Sequence, residues 1–250
     1  DSSGGTELFG FMPQALLSNL PELKQNAYTG SHLYGLDGAL TVWHSDSNND
    51  GVVNSSERVI LFFGMRRGGE QYFALDVSDL NSPHLLWRID PTTSGFAALG
   101  QSWSRPSIIT VNWSGSKRKV LVFGGGYDPA ADSQDTRTTH ASGNMIYMID
   151  PVTGQLLWSA GKSSQHNAVA AMEYAIPSDL RVIDADANGI ADRLYVADLG
   201  GQVWRVKFDE ATFGPGTGVT IKRIASLADD SVAGNRRFFY APTVYYSNSA

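Results

Sequence analysis

The sequence predicts an all-β chain of the β-propeller type, and three observations carry that reading. A unit recurs in which a strand ending at Asp is followed by a turn and then by a strand ending in Leu-Leu-Trp. One copy is Tyr72 to Asp76 with Leu85-Leu86-Trp87; a second is Ile146 to Asp150 with Leu156-Leu157-Trp158. The flanking segments are short, β-branched and aromatic, and bounded by Gly, Pro, Asn and Asp, as strands are. Before residue 165 only the stretch from Pro13 to Leu17 reads as helical, with Pro tolerated at its start and Pro21 limiting its length. One such unit is a small sheet that cannot bury both faces alone, so copies must stack.

Composition narrows the possibilities. The chain has 250 residues, 19 Lys and Arg against 25 Asp and Glu, a formal net charge of -6 and no cysteine. The charge argues against a nucleic-acid surface and favours cation binding. Without cysteine there are no disulfides, thiolate metal sites or cysteine nucleophiles. No run of about 18 apolar residues exists that would span a membrane. Asp1 to Thr6 has neither the basic nor the apolar region of a signal peptide. The expectation is one propeller domain over residues 1–250, cut from a longer protein.

In chain order, Glu7 to Phe11 reads as a short strand and as the tail of an earlier copy of the unit, and Thr41 to His44 as another strand. Val59 to Phe63 is a buried strand, followed by the first copy. Asp76 and Asp150, like Trp87 and Trp158, lie further apart than the ~40–50 residues of one blade, so insertions or weaker strands must intervene. Tyr195 to Asp198, Gly200-Gly201 and Val203 to Val206 form a later, altered copy, with glycines suited to a two-residue hairpin turn. Trp87, Trp158 and Trp204 are expected in the core between blades. Gln165 to Tyr174 reads as irregular, Arg181 to Ile183 as a strand, and Thr220–Ala225, Arg237–Tyr240 and Thr243–Tyr246 as closing strands.

Two segments carry the spacing of a calcium loop. Asp184, Asp186, Asn188 and Asp192 place side-chain oxygens at positions 1, 3, 5 and 9, with Gly189 at position 6 and the Ile190 carbonyl at position 7. Position 12 is Tyr195, so Asp192 would have to close the shell. The second segment is complete: Asp46, Asn48, Asp50, the Val52 carbonyl, Asn54 and Glu57 fall at 1, 3, 5, 7, 9 and 12, with Gly51 at 6. Hard cations such as Ca2+ take six to eight oxygens, and a short chain wraps one only by turning sharply at glycine. Strands, not helices, flank both. A polar turn without metal is the other reading open at this point, since Asp, Asn and Gly favour turns by themselves.

Other candidates are weaker. Gly124-Gly125-Gly126 lacks the helix and the Lys-Ser/Thr of a phosphate loop. Tyr127 to Ser142 reads as a long solvated loop, a candidate contact surface in which Asp128, Asp132, Asp135 and His140 lack metal-ligand spacing. The histidines, at 32, 44, 84, 140 and 166, stand in no nucleophile motif, which disfavours a hydrolase.

Taken together, Gly68-Gly69, Tyr72 to Val77, Leu86-Trp87, Leu99 to Pro106, Gly124 to Asp128 and above all Asp184 to Arg205 resemble the C-terminal domain of PilY1/PilC proteins, the tip-associated adhesins and biogenesis factors of type IV pili. The resemblance covers nearly the whole chain. It implies a modified seven-bladed propeller with quinoprotein-like blades; the chain is too short for seven, so either it holds about half of them or the blade count differs. It implies calcium held by Asp184, Asp186, Asn188, the Ile190 carbonyl and Asp192. It also implies control of pilus extension against retraction, hence twitching motility, surface attachment and virulence; pilin or minor-pilin partners at the pilus tip and a host-surface ligand; and a place on the cell surface reached through the periplasm. The Asp46–Glu57 loop rests on its own spacing, and no Arg-Gly-Asp tripeptide occurs.

The alternative is a quinoprotein, a PQQ-dependent dehydrogenase-like propeller, because Tyr147 to Asp150 with Gly154 to Trp158 also resembles that repeat. Such enzymes commonly carry a vicinal cysteine pair, which this sequence lacks, and a calcium that touches the quinone. Both loops here instead look self-saturated. The expectation is therefore a protein that is not an enzyme.

Overall fold

A computed structural model describes residues 5, 7–26, 30 and 32–245. Three antiparallel sheets follow one another along the chain. Sheet 1 comprises β1 (Thr41–His44), β2 (Val59–Gly64), β3 (Tyr72–Asp76) and β4 (His84–Ile89), in that order. Sheet 2 comprises β5 (Ser107–Trp113), β6 (Ser116–Gly124), β7 (Met145–Ile149), β8 (Leu156–Gly161) and the two-residue β9 (Asn167–Ala168), which runs parallel to β8. Sheet 3 comprises β10 (Arg181–Ile183), β11 (Arg193–Ala197), β12 (Gln202–Phe208) and β13 (Val219–Ser226). The recurrent unit is the third and fourth strands of sheets 1 and 2, in antiparallel register with a shift between Ala74 and Leu75 and between Met148 and Ile149. The wide separation of its copies is explained by the strands β5 and β6, which intervene.

The sheets stack through two apolar layers. Ile60, Phe62, Tyr72 and Trp87 of sheet 1 meet Leu121, Phe123, Tyr147 and Ile149 of sheet 2. From the opposite face of sheet 2, Val120, Val122, Met148 and Trp158 meet Leu194, Val196, Trp204 and Val206 of sheet 3. Sheet 2 is thus covered on both faces, which is why β6 and β7 read as continuous apolar runs; β12 buries alternate residues only. The three tryptophans are core, as expected. Trp87 reaches across the first layer, donating Nε1–H to the Pro151 carbonyl at 2.9 Å. Gly154, in the same turn, has φ +71° and lies so close to Trp87 that a Cβ there would come within 2.8 Å of the ring. Truncating a buried tryptophan of this kind costs about 3–5 kcal/mol.

Several expectations fail, each for a tertiary reason. Glu7 to Phe11 is no strand. It lies over the outer face of sheet 1, where Phe11 meets Phe63 and Phe73 edge-on at 5.5 and 5.4 Å. Pro21 starts a helix rather than limiting one: a 3-10 turn (Gln14–Asn19) leads into α1 (Leu20–Gln25), and Pro21 sits in its first turn, where no N–H is needed. Residues 237–240 and 243–245 are irregular, and Tyr246 lies outside the described residues. The loop from Tyr127 to Ser142 is not simply solvated, since Asp128 and His140 are buried. Asp128 accepts N–H groups from Ala130, Ala141 and Ser142, and His140 Nδ1 accepts that of Ala175. The first of these is a local cap of the turn at Pro129, but the other three span 13 to 35 residues and carry no local spacing signal.

Candidate metal centres

Both acidic loops occupy the same place in their sheets, the connection between first and second strands. In sheet 2 that connection is the tight turn at Ser114-Gly115. The two loops are built alike. Position 4 is left-handed in each (Asn49 φ 57°, Ala187 φ 59°), as is the glycine at position 6 (Gly51 φ 73°, Gly189 φ 83°). At position 1, Asp46 accepts the N–H groups of Asp50 and Gly51 at 3.2 and 2.9 Å; Asp184 accepts those of Asn188 and Gly189 at 3.1 and 2.8 Å. At position 5, Asp50 Oδ1 accepts Val52 N–H and Asn188 Oδ1 accepts Ile190 N–H, both at 2.7 Å. These bonds curl each loop so that its oxygens converge. Asp46, Asp50 and Glu57 can bring one carboxylate oxygen each within 4.8 Å of one another, as can Asp184, Asp186 and Asp192. Asn48 bridges to Asp50 through Nδ2, and Asn188 to Asp186.

The loops close differently. Glu57, 3 % exposed, accepts Ser47 N–H and Oγ–H on one oxygen and Asn54 N–H on the other. Burial alone would raise its pKa, but these donors outweigh burial and hold it below the ordinary range. Asn54 commits its own side-chain oxygen to Ser56 N–H and Oγ–H. Asp192 receives Ala185 N–H on Oδ2 at 2.7 Å, while its buried Oδ1 is ion-paired with Arg193 Nε at 3.2 Å outside hydrogen-bond geometry. Three carboxylates converging this closely form an oxygen cluster that a hard cation would satisfy, with Arg193 offsetting part of the charge of Asp192. For Asp184, burial is likewise outweighed by the Gly189 and Asn188 donors, and its pKa is lowered.

Surroundings differ too. Val52 and Val53 face solvent, whereas Ile190 and Ala191 are buried. Ala191 donates its N–H to Thr110 of β5 at 2.8 Å, tying the second loop to sheet 2. Glu210 adds a carboxylate that spacing could not reveal: its Oε1 accepts from Asn188 Nδ2 at 2.9 Å, from 22 residues downstream.

Comparison with known proteins places this geometry in a family. The model of the PilY1 beta-propeller domain matches residues 9–213. The chain belongs to the PilY1 beta-propeller domain family. A type IV pilus biogenesis factor PilY1 homolog of Xylella fastidiosa is 28% identical over 213 residues, covering 84% of this chain. PilY1 of Pseudomonas aeruginosa strain UCBPP-PA14 is 29% identical over 202 residues, covering 80%. In both cases the match spans only 15% of the relative's length. The crystal structure of the Pseudomonas aeruginosa PilY1 C-terminal domain superposes with a TM-score of 0.59 at 23% identity, over 93% of this chain and 44% of that one. The fold is thus that of a PilY1 propeller, with three sheets present and not closed into a ring. Among the described residues, no helix is long and apolar enough to cross a membrane.

Proposed function

We propose that this chain is a calcium-binding propeller segment of a type IV pilus biogenesis factor, displayed at the cell surface and associated with the pilus, where it regulates extension against retraction and so twitching and attachment. The observation that carries this reading is the family match over residues 9–213, joined to two acidic loops of one design. Asp184, Asp186, Asn188, Asp192 and the Ile190 carbonyl would hold one Ca2+. Asp46, Asn48, Asp50, Glu57 and the Val52 carbonyl would hold the other, with Asn54 taking part directly or through water. The ion would supply charge neutralisation where three carboxylates crowd together. In the second loop the effect reaches beyond the hairpin, because Ala191 is bonded to Thr110. That loop serves as a switch on a surface that contacts pilins, and the first as a clip. Four side chains and one carbonyl in the Asp184–Asp192 loop place its affinity near ~10⁻⁷–10⁻⁵ M, or weaker as in extracellular modules.

Calorimetric titration of the folded chain should show two calcium sites. Asp192→Ala should remove one and Glu57→Gln weaken the other. In wild type, calcium should slow hydrogen exchange at Ala191. In cells, Asp192→Ala should reduce surface pili, whereas Asp192→Lys, which sets a cation beside Asp184 and Asp186, should retain them. Normal pilus extension and retraction by an Asp192→Ala protein that binds no calcium there would overturn the switch and leave a structural clip.

A further inference from the structure

The last sheet presents a face unlike any other in the molecule. Strand register sets two rows across sheet 3. One row is Arg181, Tyr195, Arg205, Lys222; the other is Ile183, Arg193, Lys207, Thr220. Directly opposed residues share a face, and the alternate residues Leu194, Val196, Trp204 and Val206 are buried against sheet 2, so both rows point away from it. Five of the eight positions are cationic. Arg193 lies 3.2 Å from Asp192. Among the described residues, no ion pair engages Arg181, Arg205, Lys207 or Lys222, and Arg205 Nε is buried without a hydrogen-bond acceptor. Arg193 is opposed by Lys207, and Arg205 by Lys222. Like charges placed directly opposite destabilise a sheet. A chain of net charge -6 has carboxylates to spare, yet none is set among these rows.

Among the described residues, the faces that meet between sheets are apolar, and the middle of the outer face of sheet 1, Phe63, Phe73 and Leu75, is covered by Phe9, Phe11 and Leu16. We propose that the cationic face of sheet 3 docks an acidic sheet face of the same polypeptide, with carboxylates on alternate residues, so that this junction is held by ion pairs where the other two are held by apolar packing. Alternate strand residues are about 6.6 Å apart, the spacing of the two rows. Sheets in this molecule stack face to face, and the solved PilY1 chain is more than twice as long as the part matched here. A lipid surface or a nucleic acid fits worse. Ile183 and Tyr195 lie among the cations, and the acidic loop of Asp184, Asp186 and Glu210 borders the face and would repel an extended polyanion.

The test compares the 250-residue chain with the full-length gene product. Lys207 and Lys222, both exposed, should react freely with an amine reagent in the chain and several-fold more slowly in the longer protein. The Lys207→Glu, Lys222→Glu double variant should raise the Tm of the chain at low salt by about 2–4 °C, by relieving repulsion, and lower that of the longer protein. Equal labelling in the two proteins overturns the proposal, as does stabilisation of both by the double variant. Protection that appears only on adding duplex DNA or phosphatidylglycerol vesicles overturns it in favour of a polyanion.

Discussion

The loops Asp46–Glu57 and Asp184–Asp192 share their left-handed residues, their glycine turn and their N–H bonds to the first aspartate, yet they are anchored to different things. The first closes on itself through buried Glu57. The second closes on its neighbour through Ala191 and Thr110, and its Asp192 is paired with Arg193 at 3.2 Å. One local design is therefore braced in two ways. A closing carboxylate held by three hydrogen bonds braces the first loop from within, whereas the second leans on one hydrogen bond, one ion pair and the neighbouring sheet.

The sharpest way to break this comparison is to remove the closing carboxylate in the absence of calcium. Glu57→Ala empties a buried position and removes three hydrogen bonds, from Ser47 N–H, Ser47 Oγ–H and Asn54 N–H, and should cost about 1–3 kcal/mol. Asp192→Ala, which removes one hydrogen bond, from Ala185 N–H, and the ion pair with Arg193, should cost less. Denaturant unfolding in a chelator measures both, and equal losses would mean that the first loop is not self-supporting. A smaller effect tests the shared design. Gly51→Ala and Gly189→Ala each force a Cβ into a left-handed turn in open space, so each should cost about 1–2 kcal/mol and the two should agree. Unequal losses would show that the neighbouring sheet strains one turn.

The smallest effect is in pH. Glu57 and Asp184 both have pKa values below those of the unfolded chain. Their contribution to stability is present above about pH 4, the unfolded carboxylate range, and is lost as pH falls through the folded values. Thermal unfolding of the calcium-free chain should lose stability on acidification, less so in Glu57→Gln, which has no proton to take up there. A variant that follows the wild-type pH curve would remove Glu57 from the account.

The sequence by itself determined what depends on spacing. Asp at position 1, glycine at 6 and an oxygen at 5 suffice to curl both loops, because each bond spans two to five residues. The strand–turn–strand unit and its tryptophans were legible for the same reason, since register follows from a short turn. Tertiary structure decided which faces meet. It turned Glu7–Phe11 from a candidate strand into a cover for sheet 1, buried Asp128 and His140, tied Ala191 to Thr110 and brought Glu210 beside Asn188. It also aligned Arg181, Arg205 and Lys222 in one row, though they come from separate strands. Hydrophobic burial is non-directional, so an apolar run states that it will be covered without naming its cover. Only the stacking of the three sheets names it.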